Sequence, residues 1–206
     1  MALIKLNNRG VRNVSAFGSV APGSMVFIKK LTASSSSTLS FVDGSSDVVL
    51  DDTYKEYLFT FNNIHPETDN TILKFNASVD SGSNYNVTKT STYFRAWHSE
   101  AGDDTNLRYE TGSDLAQGTG FQSLTNSDLG DGNDECCVGK LHLFNPSSTT
   151  FAKQFIATTN TYHSSDYTFR SFIAGYGNTT SAIDAVQFKM DSGNIDAGDI
   201  CLYGIL

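Results

Sequence analysis

The densest collection of side chains that could do chemistry is the run from Asn126 to Glu135, which carries the carboxylates of Asp128, Asp131, Asp134 and Glu135. Calcium takes several carboxylate and carbonyl oxygens from a flexible loop, so these four acids are the candidate calcium ligands of the chain. Their spacing is not that of an EF-hand, because no glutamate stands at the twelfth position to close the site with two oxygens. A solvated, turn-rich loop accounts for the same residues without an ion. The histidines His65, His98, His142 and His163 are scattered with no ligand-like spacing. Cys136 and Cys137 are adjacent and would project to opposite faces of a strand, so only one could join a zinc site. With Cys201 they make an odd set, which is no disulfide framework. Either of the adjacent pair could meet Cys201, but reduced thiols are expected.

Nucleophilic catalysis has no signature. There is no Gly-x-Ser-x-Gly elbow, and His98-Ser99-Glu100 are neighbours in sequence rather than a triad assembled across a fold. Gly175-Tyr176-Gly177 lacks the third glycine and the helix of a phosphate-cradling loop. The acidic loops could supply two facing carboxylates for polysaccharide hydrolysis, yet nothing singles out a pair. The expectation is a protein with no catalytic residues and no cofactor. Aromatic rings beside polar groups are the better binding candidates, above all Trp97 and Tyr109, which lie in or next to the acidic segment and could stack on a sugar. The alternative for Trp97 is that it fills the core.

The elements that must hold these residues read as short strands. Gly, Ser, Thr, Asn and Asp punctuate the chain, and no window sustains a helical apolar period. Strands are predicted over 25–31, 38–42, 48–50, 56–62, 71–79, 92–98, 140–144, 151–158, 167–173, 185–190 and 199–205, with a short one at 107–110. Alternation puts Tyr57, Phe59 and Phe61 on one face, and Leu73, Phe75, Ala77 and Val79 on another. In 92–98 it sets Phe94 and Ala96 against Tyr93, Arg95 and Trp97. The fold expected is all-β: a single β-sandwich of jelly-roll type with about ten strands over 23–206, an acidic loop insertion over 99–139, and an N-terminal arm over 1–22. A closed up-and-down barrel fits the spacing equally well. The last strand runs to the end of the sequence, as expected of a chain complete at that end.

Charge is unevenly placed. Residues 1–42 hold Lys5, Arg9, Arg12, Lys29 and Lys30 with no acid, so that segment is +5 in a chain of net charge −8. Such asymmetry suggests an interaction arm, whereas the overall acidity argues against nucleic-acid binding, which depends on Lys and Arg neutralising phosphates. The opening Met-Ala-Leu-Ile-Lys-Leu is too short and too basic for a secretory signal, and no apolar stretch approaches the roughly 20 residues of a membrane span. Synthesis in a cytoplasm and no membrane insertion are expected.

Several runs resemble proteins encoded by marine tailed bacteriophages. They are Ala33 to Phe41, Tyr54 to Asp69, Leu141 to Thr150, Thr180 to Ile195 and Leu202 to Ile205, together spread over most of the chain. The resemblance implies a virion structural protein, a capsid decoration or cement protein or a tail-assembly component, made and assembled in the host cytoplasm. It implies other virion proteins as partners and self-association, a homotrimer by preference, and it carries no catalytic residues over. In that setting the arm would dock on the particle through Leu3, Ile4, Lys5, Arg9 and Arg12. The alternative is a tail-fibre module that recognises host-surface glycan through Trp97 and Tyr109.

Overall fold

The computed structural model describes residues 24–126 and 129–206. Leu3, Ile4, Lys5, Arg9 and Arg12 of the expected arm, and Asp128 of the acidic run, lie outside the described residues. Among the described residues there is no helix. Twelve strands form instead: β1 (Met25–Thr32), β2 (Leu39–Val42), β3 (Glu56–Pro66), β4 (Leu73–Ser78), β5 (Lys89–Ser99), β6 (Thr105–Tyr109), β7 (Gln122–Ser123), β8 (Cys137–Phe144), β9 (Lys153–His163), β10 (Tyr167–Gly177), β11 (Ala185–Met190) and β12 (Ile195–Ile205). They make a β-sandwich of two antiparallel sheets. One has eight strands in the order β1-β12-β3-β8-β9-β10-β5-β6, and the other has four in the order β2-β11-β4-β7.

The pairs nest. β1 lies beside β12, β2 beside β11, β3 beside β8 and β4 beside β7, as when a long hairpin is rolled over itself. β5 and β6 fall between the last two of these strands in sequence, and β9 and β10 follow β8. Together these four extend the larger sheet beyond β8. Tight turns make the close neighbours possible. Ser164 to Asp166 close the β9–β10 hairpin, with Asp166 in the left-handed region at φ 62°, a form that three-residue hairpins favour.

The sheets meet through aromatic rings that alternation points inward. Phe188 of β11 is fully buried and stands edge-on to Phe59 and Phe61 of β3, with ring centroids 5.3 Å away in each case. Phe41 of β2 meets Phe59 at 5.3 Å, and Phe75 of β4 meets Phe155 of β9 at 5.2 Å. These are the favoured edge-to-face arrangements. Tyr57, Phe59 and Phe61 share the buried face as alternation predicts, and so do Leu73, Phe75 and Ala77, but Val79 is exposed because β4 ends at Ser78.

The expected strand 48–50 is a loop. Its side chains Val48 and Leu50 are buried, but its backbone turns back on residues 43–45 through Val48 N to Ser45 O (2.9 Å) and Leu50 N to the Asp43 carboxylate (2.8 Å). An apolar run can plug the core without joining a ladder. The acidic insertion also departs from a simple excursion into solvent. Leu124, Leu129, Gln122 and Thr125 are fully buried, and Gln122–Ser123 pairs with β4.

Candidate functional site

β9, β10, β5 and β6 form one end of the large sheet, which the small sheet reaches only through β4 and the two-residue β7, and their two faces are chemically different. On the outer face, register places Thr158, Phe172, Phe94 and Tyr109 in one row across the four strands, with Asn160, Arg170, Ala96 and Leu107 in the next. Phe94 and Phe172 stack with centroids 4.9 Å apart, and Arg170 lies over Phe172 at 5.4 Å. Phe94 is 40% exposed, Tyr109 48%, Ile156 49% and Leu107 64%, so this strip is an open apolar surface rather than scattered single residues. The Tyr109 hydroxyl donates to the Asp114 carboxylate (2.5 Å), a bond that pushes its pKa up.

On the inner face an arginine cluster takes the place of a core. Arg95 is buried and lies 4.6 Å from the Phe169 ring centroid and 5.1 Å from that of Trp97, while Arg108 lies 5.4 Å from Trp97. Phe169 stacks on the same indole at 5.8 Å, and the indole N–H donates to Asp104 (3.0 Å). Glu110 accepts from Arg95 and Arg108, each at 2.6 Å. Burial by itself would raise the Glu110 carboxyl, but the bonds from Arg108 and Arg95 outweigh it and hold the group below its usual range.

Trp97 and Tyr109 therefore do not meet. Tyr109 pairs with Phe94, three residues from Trp97, and alternation sends the two rings to opposite faces of the sheet. Trp97 is half-buried. It neither fills the aromatic core nor offers a bare ring, because three protein groups already lie against its indole. Alternation divides β5 as the sequence indicates, and it is Tyr93 and Arg95, not Phe94, that face inward. Their partners Ser171 and Glu110, which satisfy them, are distant in sequence.

The calcium candidates are partly brought together. Carboxylate oxygens of Asp131, Glu135 and Asp69 all lie within 4.8 Å of one another, so a hard cation could approach three acids there. Asp69 comes from the β3–β4 connection and was invisible to a reading of the 126–135 run. Glu135 already accepts from Gly132 N (2.7 Å), and Asp134 turns to a neighbouring cleft of about 440 Å³. Paired irregularities shape that cleft: Asn63 has φ 50°, and opposite it Gly198 has φ 112°, where a Cβ would stand 2.4 Å from Asn63 O. Within it His65 is held between Asp196 (3.5 Å) and Gly132 O (3.1 Å). Cys136 lines the cleft, but burial pushes its thiol up, away from an activated thiolate.

The cysteines Cys136, Cys137 and Cys201 are all free. Burial pushes Cys137 up to about 12. His142 points away from buried Leu141 and Leu143, as alternation predicts, and pairs with Glu56. No helix among the described residues is long and apolar enough to cross a membrane. No protein-family model, curated protein or solved structure matches the chain.

Proposed function

We propose that the chain is a non-enzymatic structural protein of a bacteriophage virion, a capsid decoration or cement protein or a tail-assembly component. The sandwich would be a jelly roll, self-associated as a trimer, with residues 1–22 docking on the particle. The observation that carries this reading is the strip Phe94, Phe172, Tyr109, Leu107 and Ile156. It is an open apolar face on a rigid antiparallel sheet, which suits contact between copies. The nested strand pairing supports the jelly roll. The placement of the edges supports two separate contacts. Met25 pairs with Ile205 on edge strand β1, seven strand spacings from edge strand β6, or roughly 34 Å along the sheet. An arm leaving that corner can hold the particle while the strip meets another copy.

Two measurements test the reading. A chain lacking residues 1–20 is expected to lose association with the particle, and unchanged association would remove the docking role. Leu107→Ser combined with Tyr109→Ser is expected to give monomers in analytical ultracentrifugation, and a monomeric parent chain would remove the assembly role. One observation favours glycan recognition as a second reading: Tyr109, with the stacked Phe94–Phe172 pair beside it and Asp114 on its hydroxyl, combines aromatic area with a carboxylate. Blank results on both glycan arrays and host cells would eliminate it.

A further inference from the structure

One buried group has no part in any of this. Lys89, the first residue of β5, is 1% exposed and lines an apolar void with Phe75, Val87, Leu141, Leu143 and Phe155. Buried lysines are ordinarily paired with a carboxylate. Among the described residues Lys89 has none: its amine donates to Val87 O (2.7 Å) and to the side-chain oxygen of Asn76 (2.5 Å). A second lysine, Lys153, shares the void and flanks the same residue, Gly177, from the opposite strand. Its charge adds nothing that would favour a second cation. Burial brings the Lys89 amine down to about 7, so a large fraction is neutral and nucleophilic at ordinary pH.

The partner is equally unusual. Asn76 of β4 is fully buried, and its carboxamide is locked in orientation. Its oxygen accepts Ala77 N–H (2.8 Å), and its nitrogen faces three carbonyls, Tyr85 O (2.6 Å), Thr119 O (3.0 Å) and Gly120 O (3.3 Å). A carboxamide has only two N–H groups to offer them. A departing, protonated nitrogen has three.

We propose that Lys89 and Asn76 join their side chains in an isopeptide cross-link, formed by the folded chain itself with loss of ammonia. The neutral Nζ attacks Cγ of Asn76, and the Nζ–Cγ bond forms. Negative charge on Oδ1 is held by the Ala77 N–H, a preorganised donor in a dry site. One Nζ proton passes to Nδ2, the three carbonyls stabilise the protonated nitrogen, and the Cγ–Nδ2 bond breaks to release ammonia. Amine and carboxamide become one secondary amide, with no oxidant or reductant. Holding the two groups in contact supplies the entropy that makes such a reaction slow in solution, and the apolar walls keep water from competing. The product replaces a buried amine with a neutral amide and ties the small sheet to the large one across the core.

Mass spectrometry of the purified full chain decides the matter. The intact mass is expected to fall short of the sequence by one ammonia. Trypsin, unable to cut after an acylated Lys89, is expected to leave Phe75 to Arg95 as one peptide that carries the deficit. Lys89→Met and Asn76→Ala are each expected to abolish it. A succinimide at another asparagine would also lose ammonia, but it would leave Lys89 cleavable, so that result overturns the proposal. So does a parent chain that keeps its full mass after prolonged incubation above pH 8, because the contact is then a hydrogen bond and nothing more.

Discussion

The two halves of the eight-stranded sheet solve the same problem with different chemistry. Over β12, β3 and β8 the four-stranded sheet lies close, and the space between is filled by Phe41, Phe59, Phe61 and Phe188, which need no hydrogen-bond partners. Over β10 and β5 the cover is the margin of the small sheet, the two-residue strand β7, together with the connection around it, and the buried groups are largely polar. The Ser91 hydroxyl donates to Gln122 (2.5 Å), Gln122 donates to Ser113 O (2.9 Å), Tyr93 bonds Ser171 (2.7 Å), and Arg95 binds Glu110. A loop brings unpaired backbone groups with it, and these must be satisfied by side chains. The aromatic half is held by area and shape, and the polar half by specific partners. The second should therefore be the more selective in what it tolerates, and the more sensitive to pH.

The largest test of that contrast is Phe188→Ala, which removes the ring shared by both sheets. It should cost about 4 kcal/mol in urea denaturation, with little dependence on pH. Next is Glu110→Gln, which removes the carboxylate charge that Arg95 and Arg108 share and should cost about 3 kcal/mol. The depressed Glu110 carboxyl contributes stability that is present above its unfolded value of about 4.3 and is lost as pH falls through the lower folded value. The stability difference between parent and variant should therefore shrink in acid, and a constant difference would mean that the ion pair is not what holds this half.

Gln122→Ala should cost about 2 kcal/mol, since it leaves the Ser91 hydroxyl and Ser113 O without their partner. A result near zero would mean that water enters the polar half and that the two halves differ less in selectivity. Tyr93→Phe should cost about 1 kcal/mol. Burial raises the phenols of both Tyr57 and Tyr93, so their contribution is fully present below the unfolded value of about 10 and is lost as pH rises past it. Tyr93→Phe should flatten part of that alkaline loss. Least of all, Tyr109→Ala should change stability by no more than about 0.5 kcal/mol, being an outer-face residue, while weakening the proposed self-association.

The legible parts of the fold were those with a local signal. Ala185–Met190 is a strand at the bounds predicted for it. β7 was not legible, since two residues carry no period, and neither was the burial of Leu124 and Leu129 in a segment whose composition is that of a surface loop. In the site, Tyr109 stood out as an exposed aromatic beside acids, which it is. Arg95 gave no sign of being interior, because a buried arginine is announced only by its partner.

The sequence alone determined that this chain is all-β, and which residues of β3 and β4 share a face, because side-chain alternation is a property of each strand by itself. Tertiary structure decided everything that depends on who pairs with whom. It set Trp97 and Tyr109 on opposite faces, placed Asp69 beside Asp131 and Glu135, and split the large sheet into an aromatic half and a polar one. It also laid the Lys89 amine on the Asn76 carboxamide. These are relations between segments far apart in the chain. They are fixed by register and by what covers each face, and no local pattern records either.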